Sequence, residues 1–173
     1  MIQIIAGLKG KGKTKYLIQK ANEEVKTASG NVVYLDKNNK HMYELSNKIR
    51  LINLSEFPVD TYDAFLGFIS GVISQDHDLE SMYLDSFITV SCVTEEYIGF
   101  VLSKLSDISS RFNVNFTISI SVDAEHLPDQ LEQQLLLVEI IQLHQMVVDL
   151  EDQVDLEDLV VKHQLLDLKF QLL

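Results

Sequence analysis

The sequence predicts an α/β fold, a three-layer structure in which a parallel β-sheet carries helices on both faces. Short runs rich in valine, isoleucine and leucine alternate along the chain with segments whose apolar residues recur every three or four positions. The run at residues 31–36 is continuously apolar from Val32 to Leu35, as in a parallel strand that is buried on both faces. With 173 residues, the chain suits one domain with a short addition.

The first half of the chain contains three of the predicted strands, at residues 1–6, 31–36 and 49–54. A helix is predicted between the first two, from residue 15 to a stop at Ser29-Gly30. A second helix is predicted after Asp60, which we expect to cap it. Two glycines in this helix, at positions 67 and 71, are expected to permit close packing of the helix on the sheet.

The second half contributes predicted strands at 81–85 and 115–121, with a helix opened by Thr94 between them. In that helix Tyr97 is expected to face the core. The alternation of strands and helices favours right-handed βαβ units, hence a parallel sheet.

The predicted domain covers residues 1–128, and residues 129–173 form an acidic, helical C-terminal segment. Apolar residues in this segment alternate spacings of four and three, as in a short heptad pattern. The segment is expected to pack on the domain, since about two and a half heptads fall short of the length typical of a coiled coil. The alternative is that it mediates self-association and makes the protein a homo-oligomer.

The net charge of −12 argues against a general nucleic-acid-binding protein, because neutralising phosphates requires lysine and arginine.

The only cysteine, Cys92, excludes an internal disulfide and is expected to be buried. No apolar run approaches the roughly 20 residues needed to span a bilayer. The first residue already starts a strand, without a leader, so we expect a cytoplasmic protein.

The strongest functional signal is a glycine-rich stretch directly after the first strand. Residues 7–14 fit the phosphate-loop pattern G-x-x-x-x-G-K-[ST] without a gap. Glycines let the backbone approach an anion, and N–H groups at the start of the following helix bind phosphate oxygens. The predicted nucleotide-binding residues are Gly7, Leu8, Lys9, Gly10, Lys11, Gly12, Lys13, Thr14 and Lys15.

A phosphate loop needs a carboxylate for Mg²⁺, normally an aspartate at the end of an apolar strand. Two strands here end in Tyr-Leu-Asp, at Asp36 and at Asp85. We favour Asp85, because a strand and a helix separate it from the loop. Thr14 and Asp85 are then the predicted metal ligands, with Lys13 and Asp85 the predicted catalytic residues. For Asp36 the alternatives are contact with a base or partner, or a turn cap.

The residue that would orient the attacking water is not evident. Ser86 follows Asp85, at the position where many ATPases have a glutamate. The alternatives are other acidic residues, namely Asp76, Asp78, Glu80, Glu95 and Glu96. Three polar residues near the last strand could sense a γ-phosphate: Ser119, Ser121 and Asp123. The five histidines show no paired metal-ligand spacing with the cysteine.

With the loop and Asp85 placed, residues 1–125 resemble the P-loop NTPase superfamily. The first strand, the loop and the two Tyr-Leu-Asp strands are also similar to small single-domain ATP-binding proteins of Gram-positive bacteria, sometimes labelled twitching-motility-type ATPases. The resemblance implies ATP and Mg²⁺ as ligands, with Lys13 and the loop amides on phosphate. Residues 38–41, Asn-Asn-Lys-His, lack the aspartate of a guanine-reading element, which favours ATP over GTP.

The favoured function is therefore an Mg²⁺-dependent, slow ATPase that acts with an unidentified protein partner. The first alternative is a nucleotide-dependent binding or regulatory module with negligible hydrolysis, which the missing glutamate would allow. The second is a small-molecule or nucleotide kinase. Such kinases use several arginines to hold phosphates, and this chain has only Arg50 and Arg111.

Overall fold

The computed structural model describes residues 1–7 and 9–121, and in this part of the chain a five-stranded parallel sheet forms the centre. The predicted three-layer α/β architecture is confirmed. The strand order is β1-β5-β4-β2-β3. The strands are β1 (Ile2–Ala6), β2 (Asn31–Asp36), β3 (Ile49–Asn53), β4 (Leu79–Leu84) and β5 (Asn115–Ile120). The predicted segment 129–173 and the domain boundary at 128 lie outside the described residues, as does Leu8.

Within the described residues, four α-helices accompany the sheet: α1 (Lys13–Glu24), α2 (Tyr62–Gln75), α3 (Phe87–Val90) and α4 (Ile98–Phe112). Helix α1 packs on one face, where Leu17 and Ala21 contact strand residues such as Tyr34. Helices α2 and α4 cover the other face, which holds the larger apolar core. The apolar residues of β1 to β4 are therefore divided between two separate clusters on opposite faces of the sheet, whereas those of β5 all belong to the larger one. Within residues 1–7 and 9–121, no helix combines the length and apolar character that crossing a membrane requires.

Several local predictions were wrong. Thr61, not Asp60, caps α2, and its hydroxyl accepts a hydrogen bond of 3.2 Å from the Ala64 amide. Tyr97 lies in a 3₁₀ turn before α4 and is exposed. Cys92 is exposed and adopts a positive φ of 52° instead of being buried. Helix α3 was not predicted, because four residues are too few to show helical periodicity.

The two glycines of α2 do not serve close packing. Both Gly67 and Gly71 are exposed, and a Cβ built at either position would meet no atom within 4 Å. They leave the helix with the backbone entropy cost of glycine and no compensating contact. The expectation of close helix–sheet packing at these positions was therefore wrong.

We therefore expect Gly67→Ala to raise the free energy of unfolding by about 0.5–1 kcal/mol, because alanine reduces the entropy of the unfolded chain without strain. Chemical denaturation measures the change. Gly10→Ala is the matched control, since a Cβ there also meets nothing within 4 Å but φ is +86°. That variant should lose stability. Equal effects of the two substitutions would contradict the argument.

Candidate functional site

The glycine-rich loop leaves β1 at the carboxyl edge of the sheet and turns into α1. Gly10 and Gly12 have φ values of +86° and +79°, in the left-handed region that side chains disfavour. Gly12 directly precedes α1 and acts as its N-cap residue, with its carbonyl accepting a 3.0 Å hydrogen bond from the Tyr16 amide. The N-terminus of a 12-residue helix, the positive end of its dipole, therefore opens at the loop.

Lys13 is the first residue of α1 and its side chain turns back over the loop. Its ammonium group donates a hydrogen bond of 2.8 Å to the Gly7 carbonyl. The residue is only 8% exposed, and this burial lowers the pKa of Lys13, while the Asp85 carboxylate opposes the shift. A partly desolvated cation held across a glycine loop is suited to an anionic ligand.

Asp85 is the centre of a hydrogen-bonded cluster at the end of β4. Its Oδ1 accepts from the Thr14 hydroxyl at 3.2 Å, from the Ser86 amide at 2.8 Å and from the Ser119 hydroxyl at 2.5 Å. The Ser119 hydroxyl also accepts from the Ser86 amide, at 2.9 Å. Three segments that are far apart in sequence thus meet on one carboxylate oxygen. The structure brings together the predicted pair, Thr14 and Asp85.

The register between β2 and β4 places the two Tyr-Leu-Asp sequences side by side. Tyr34 pairs with Tyr83 and Leu35 with Leu84, and the Tyr34 and Tyr83 rings stack with centroids 6.3 Å apart. The pairing continues one residue further, because the Asp85 amide donates to the Leu35 carbonyl at 2.9 Å. Asp36 and Asp85 therefore end adjacent strands on the same face. The local sequence around either aspartate does not predict that the other lies beside it.

Asp36 is buried, at 2% exposure, with an incomplete set of hydrogen bonds. Its Oδ1 accepts from the Lys37 amide at 2.6 Å, whereas Oδ2 has no partner among the described residues. Burial, followed by the nearby Asp85 carboxylate, raises the pKa of Asp36. The Tyr34 hydroxyl is also buried beside these carboxylates; burial, followed by the charges of Asp85 and Asp36 and by its interaction with the Asp85 side chain, raises its pKa strongly.

A cavity of about 460 Å³ lies over the loop and the ends of β4 and β5. Its polar lining consists of Lys9, Gly10, Gly12, Lys13, Thr14, Lys37, Asp85, Ser86, Thr89, Ser119 and Ser121. Two other lysines of the predicted set, Lys11 and Lys15, are exposed and are not among these residues. Among the described residues, three lysines and one buried aspartate border the cavity, so its charged lining is net positive.

The acidic residues proposed from sequence to orient water lie elsewhere. Glu80 accepts hydrogen bonds from the Ser29 and Gly30 amides, and Asp76 binds the Asn31 side chain, all at the amino-terminal ends of β2 and β4. Asp78 lies in the same turn. A six-residue strand places this end about 20 Å from the cavity. Glu95 and Glu96 lie in the turn before α4 and do not line the cavity, while Asp123 lies outside the described residues.

Three groups near the site were not identified from the sequence. Lys37 follows β2 and lines the cavity. His41 lies close enough to Asp36 and Asp85 for one potential ligand atom from each residue to fall within 4.8 Å of the others. The side chain of Tyr34 is the third. Each sits on or after β2, so its proximity depends on the strand order, which places β2 beside β4 and not beside β1.

No protein-family model matches the chain, and no curated protein matches it either. Among solved structures, a KaiC-like protein from the hyperthermophilic archaeon Pyrococcus horikoshii is similar in fold, with 18% sequence identity and a TM-score of 0.47. The match covers 68% of this chain and 59% of the archaeal one. Nothing in these comparisons connects the chain with twitching motility. The function must therefore be argued from the site itself.

We expect Asp36→Asn to raise the free energy of unfolding of the protein in EDTA by about 1–3 kcal/mol, the usual cost of a buried, unsatisfied polar group. Asparagine keeps the acceptor for the Lys37 amide and replaces Oδ2 with an amide that can donate to Asp85. Since the pKa of Asp36 is raised by folding, ionisation costs stability only above its ordinary value of 3.8. The gain should be small near that pH and grow as pH rises.

Thermal and denaturant unfolding between pH 4 and 8 tests this expectation. Asp107→Asn, which removes the same charge from an exposed position of α4, serves as the control and should change stability by less than about 0.5 kcal/mol. A loss of stability in Asp36→Asn at pH 7 would show that its carboxylate is satisfied in the folded protein.

Proposed function

We propose that this protein binds ATP with Mg²⁺ in the cavity over the glycine-rich loop and hydrolyses it slowly. The observation that carries the proposal is the joint arrangement of three parts. A left-handed glycine turn opens onto a helix N-terminus, Lys13 is buried over that turn, and Thr14 is hydrogen-bonded to an aspartate 71 residues away. A glycine-rich turn that only connected a strand to a helix would need neither a buried lysine nor a threonine bonded to a distant aspartate.

In this proposal the loop amides and the Lys13 ammonium bind the phosphates. The amides at the start of α1 point toward the anion, and the helix dipole adds a favourable field. Lys9 and Lys37 border the same cavity and supply further positive charge. Because Lys13 is already desolvated, its attraction to a phosphate is screened less than that of an exposed lysine.

The residues present also suit Mg²⁺, which prefers oxygen ligands and retains several waters. Thr14 Oγ1 and Asp85 Oδ1 lie 3.2 Å apart, so a hydroxyl and a carboxylate oxygen face each other at the edge of the cavity. When bound, Mg²⁺ would neutralise charge that develops on phosphate oxygens. Ser119 and the Ser86 amide hold the Asp85 carboxylate in place and leave Thr14 as its neighbour on the loop side.

The alternative is a nucleotide-dependent binding module with negligible hydrolysis, and one observation favours it. Among the described residues that line the cavity, Asp85 is the only acidic one, and it is engaged by Thr14, Ser86 and Ser119. A water beside the γ-phosphate would therefore lack a carboxylate from the lining to orient it. A kinase is less favoured, because Arg50 lines a groove beside β3 and Arg111 ends α4.

A thermal-shift panel tests nucleotide binding directly. ATP, ADP, GTP and adenosine are each added with Mg²⁺ and with EDTA, since a ligand that binds the folded state raises stability in proportion to ln(1 + [L]/Kd). The proposal expects the largest shift with ATP and Mg²⁺ and none with adenosine. Absence of any shift with all three phosphorylated nucleotides would refute it. A phosphate-release assay on the same protein preparation, with ATP and Mg²⁺, then distinguishes an ATPase from a binding module.

We further propose that residues 129–173 pack on the domain, with self-association as the alternative. The apolar heptad-like pattern of the segment supports either arrangement. The molar mass of the full chain, compared with that of a chain ending at residue 128, distinguishes them. A multimeric full chain and a monomeric truncated chain would favour self-association.

A further inference from the structure

We propose that Asp36, His41 and Asp85 form a second divalent-cation site, which shares Asp85 with the Thr14–Asp85 pair and is suited to a transition metal such as Mn²⁺. One potential ligand atom from each of the three residues lies within 4.8 Å of the other two. With metal–ligand bonds of about 2.0–2.2 Å, two ligands of one ion lie at most about 4.4 Å apart, so a small inward shift of these side chains would bring the three atoms around a single ion. The site does not depend on nucleotide binding.

The first step of the argument is that the two carboxylates are buried together. Asp36 and Asp85 are each 2% exposed and end adjacent strands on one face of the sheet. Two like charges removed from water repel each other and lose hydration, and such groups are found paired with cations or coordinating metals. The Lys37 ammonium group and the His41 imidazole lie near Asp36.

The second step is the unpartnered oxygen of Asp36. Oδ1 is occupied by the Lys37 amide at 2.6 Å, but Oδ2 is buried and accepts no hydrogen bond from the described residues. A native interior rarely leaves a buried carboxylate oxygen without a partner. A cation among Asp36, His41 and Asp85 would satisfy this oxygen.

The third step concerns the orientation of His41. Its Nδ1 lies 2.7 Å from Glu44 Oε1, three residues later in the same loop. When Nδ1 carries the proton for this contact, Nε2 has the free lone pair that a metal requires. Metal-binding histidines commonly donate their other nitrogen to a carboxylate, which fixes the tautomer and raises the basicity of the ligand. Glu44 would have this positioning role.

The donor set indicates the class of metal. Two carboxylates and one imidazole form a mixed oxygen and nitrogen set, whereas Mg²⁺ is bound mainly by oxygen and water. Imidazole suits Fe²⁺ and Zn²⁺ and carboxylate suits Mn²⁺, so the mixed set favours a transition metal over Mg²⁺ at this position. Because Asp85 belongs both to this set of three residues and to the Thr14–Asp85 pair, the second cation would lie next to the nucleotide site.

Titration of the nucleotide-free full chain with Mn²⁺, followed by calorimetry and by electron spin-echo spectroscopy, tests the proposal. We expect one Mn²⁺ per chain, with a nitrogen coupling in the spectrum. His41→Ala and Asp36→Asn should each weaken binding by at least tenfold, and His41→Ala should remove the nitrogen coupling. His77→Ala, which removes an exposed histidine, should change neither.

Two further variants separate this site from the nucleotide site. Thr14→Ala should retain Mn²⁺ binding and the nitrogen coupling, and so should Lys13→Ala even if it no longer binds ATP.

Glu44→Gln should weaken Mn²⁺ binding by less than His41→Ala does. Mn²⁺ binding without a nitrogen coupling, or binding that survives in both His41→Ala and Asp36→Asn, would overturn the proposal. Absence of Mn²⁺ binding would overturn it as well.

Discussion

Replacing Lys13 with alanine is expected to weaken ATP binding by roughly 100-fold, which corresponds to the loss of about 3 kcal/mol from hydrogen bonds between a cation and phosphate oxygens. The effect is large because the ammonium group is desolvated before the ligand arrives. The same burial lowers the pKa of Lys13, so holding its charge costs folding free energy. We therefore expect the nucleotide-free variant to remain folded. Isothermal titration with ATP and Mg²⁺ measures the loss.

Two other variants make the test of Lys13 specific. Lys13→Met keeps most of the aliphatic stem and removes the charge, so it should bind ATP as poorly as Lys13→Ala. Lys26→Ala removes the same charge at an exposed position beyond the end of α1 and should bind ATP like the unmodified protein. Tight ATP binding by Lys13→Met would indicate that packing of the stem, not the charge, is what the site uses.

Much of the fold could be predicted because each strand is a short apolar run with clear ends. The bounds of β2 agree exactly with those expected, and β1, β3 and β5 differ by one residue at an end. The loop could be predicted for a related reason. A chain with glycines at positions 10 and 12 can take positive φ there at little cost, and the lysine and threonine that follow then fall on the first turn of α1.

The environment of Asp36 could not be predicted, because it depends on register. The sequence contains Tyr-Leu-Asp twice, but only the pairing of Tyr34 with Tyr83 makes Asp36 and Asp85 neighbours. A shift of one residue would place the two carboxylates on opposite faces of the sheet. The approach of His41 depends on the same pairing and on the loop after β2. Local patterns contain no information on either.

The errors at single residues have a common origin in local geometry. Cysteine is a residue type that is usually buried, but Cys92 lies in a turn with a positive φ and is exposed. Gly67 and Gly71 have the small size that suits close packing, but both are exposed. In each case residue type indicates burial or contact, while the position on the helix or turn determines it. The exposed face of a helix becomes evident only once the sheet that it covers is known.

Asp85→Asn is expected to make ATP binding nearly independent of Mg²⁺. The substitution keeps an oxygen that can accept from Thr14, Ser86 and Ser119, so the cluster and the fold should persist. It removes the negative charge that a divalent cation requires. Loss of groups that merely support a metal ligand costs 10–100-fold in metal affinity, so loss of a ligand's charge should cost at least about tenfold. The difference between ATP affinities in Mg²⁺ and in EDTA measures the effect.

The same substitution should also change the pKa of Asp36, because the two carboxylates are neighbours. Because Asp85 contributes to the raised pKa of Asp36, its neutralisation should lower the pKa of Asp36 toward the ordinary value. Carboxyl titration followed by NMR reports this shift, and Asp107→Asn on the exposed side of α4 should leave it unchanged. If Asp85→Asn retained the full Mg²⁺ dependence of ATP binding, another carboxylate would have to hold the cation. Asp36 lies beside Asp85 at the end of the adjacent strand and would be the residue to substitute next.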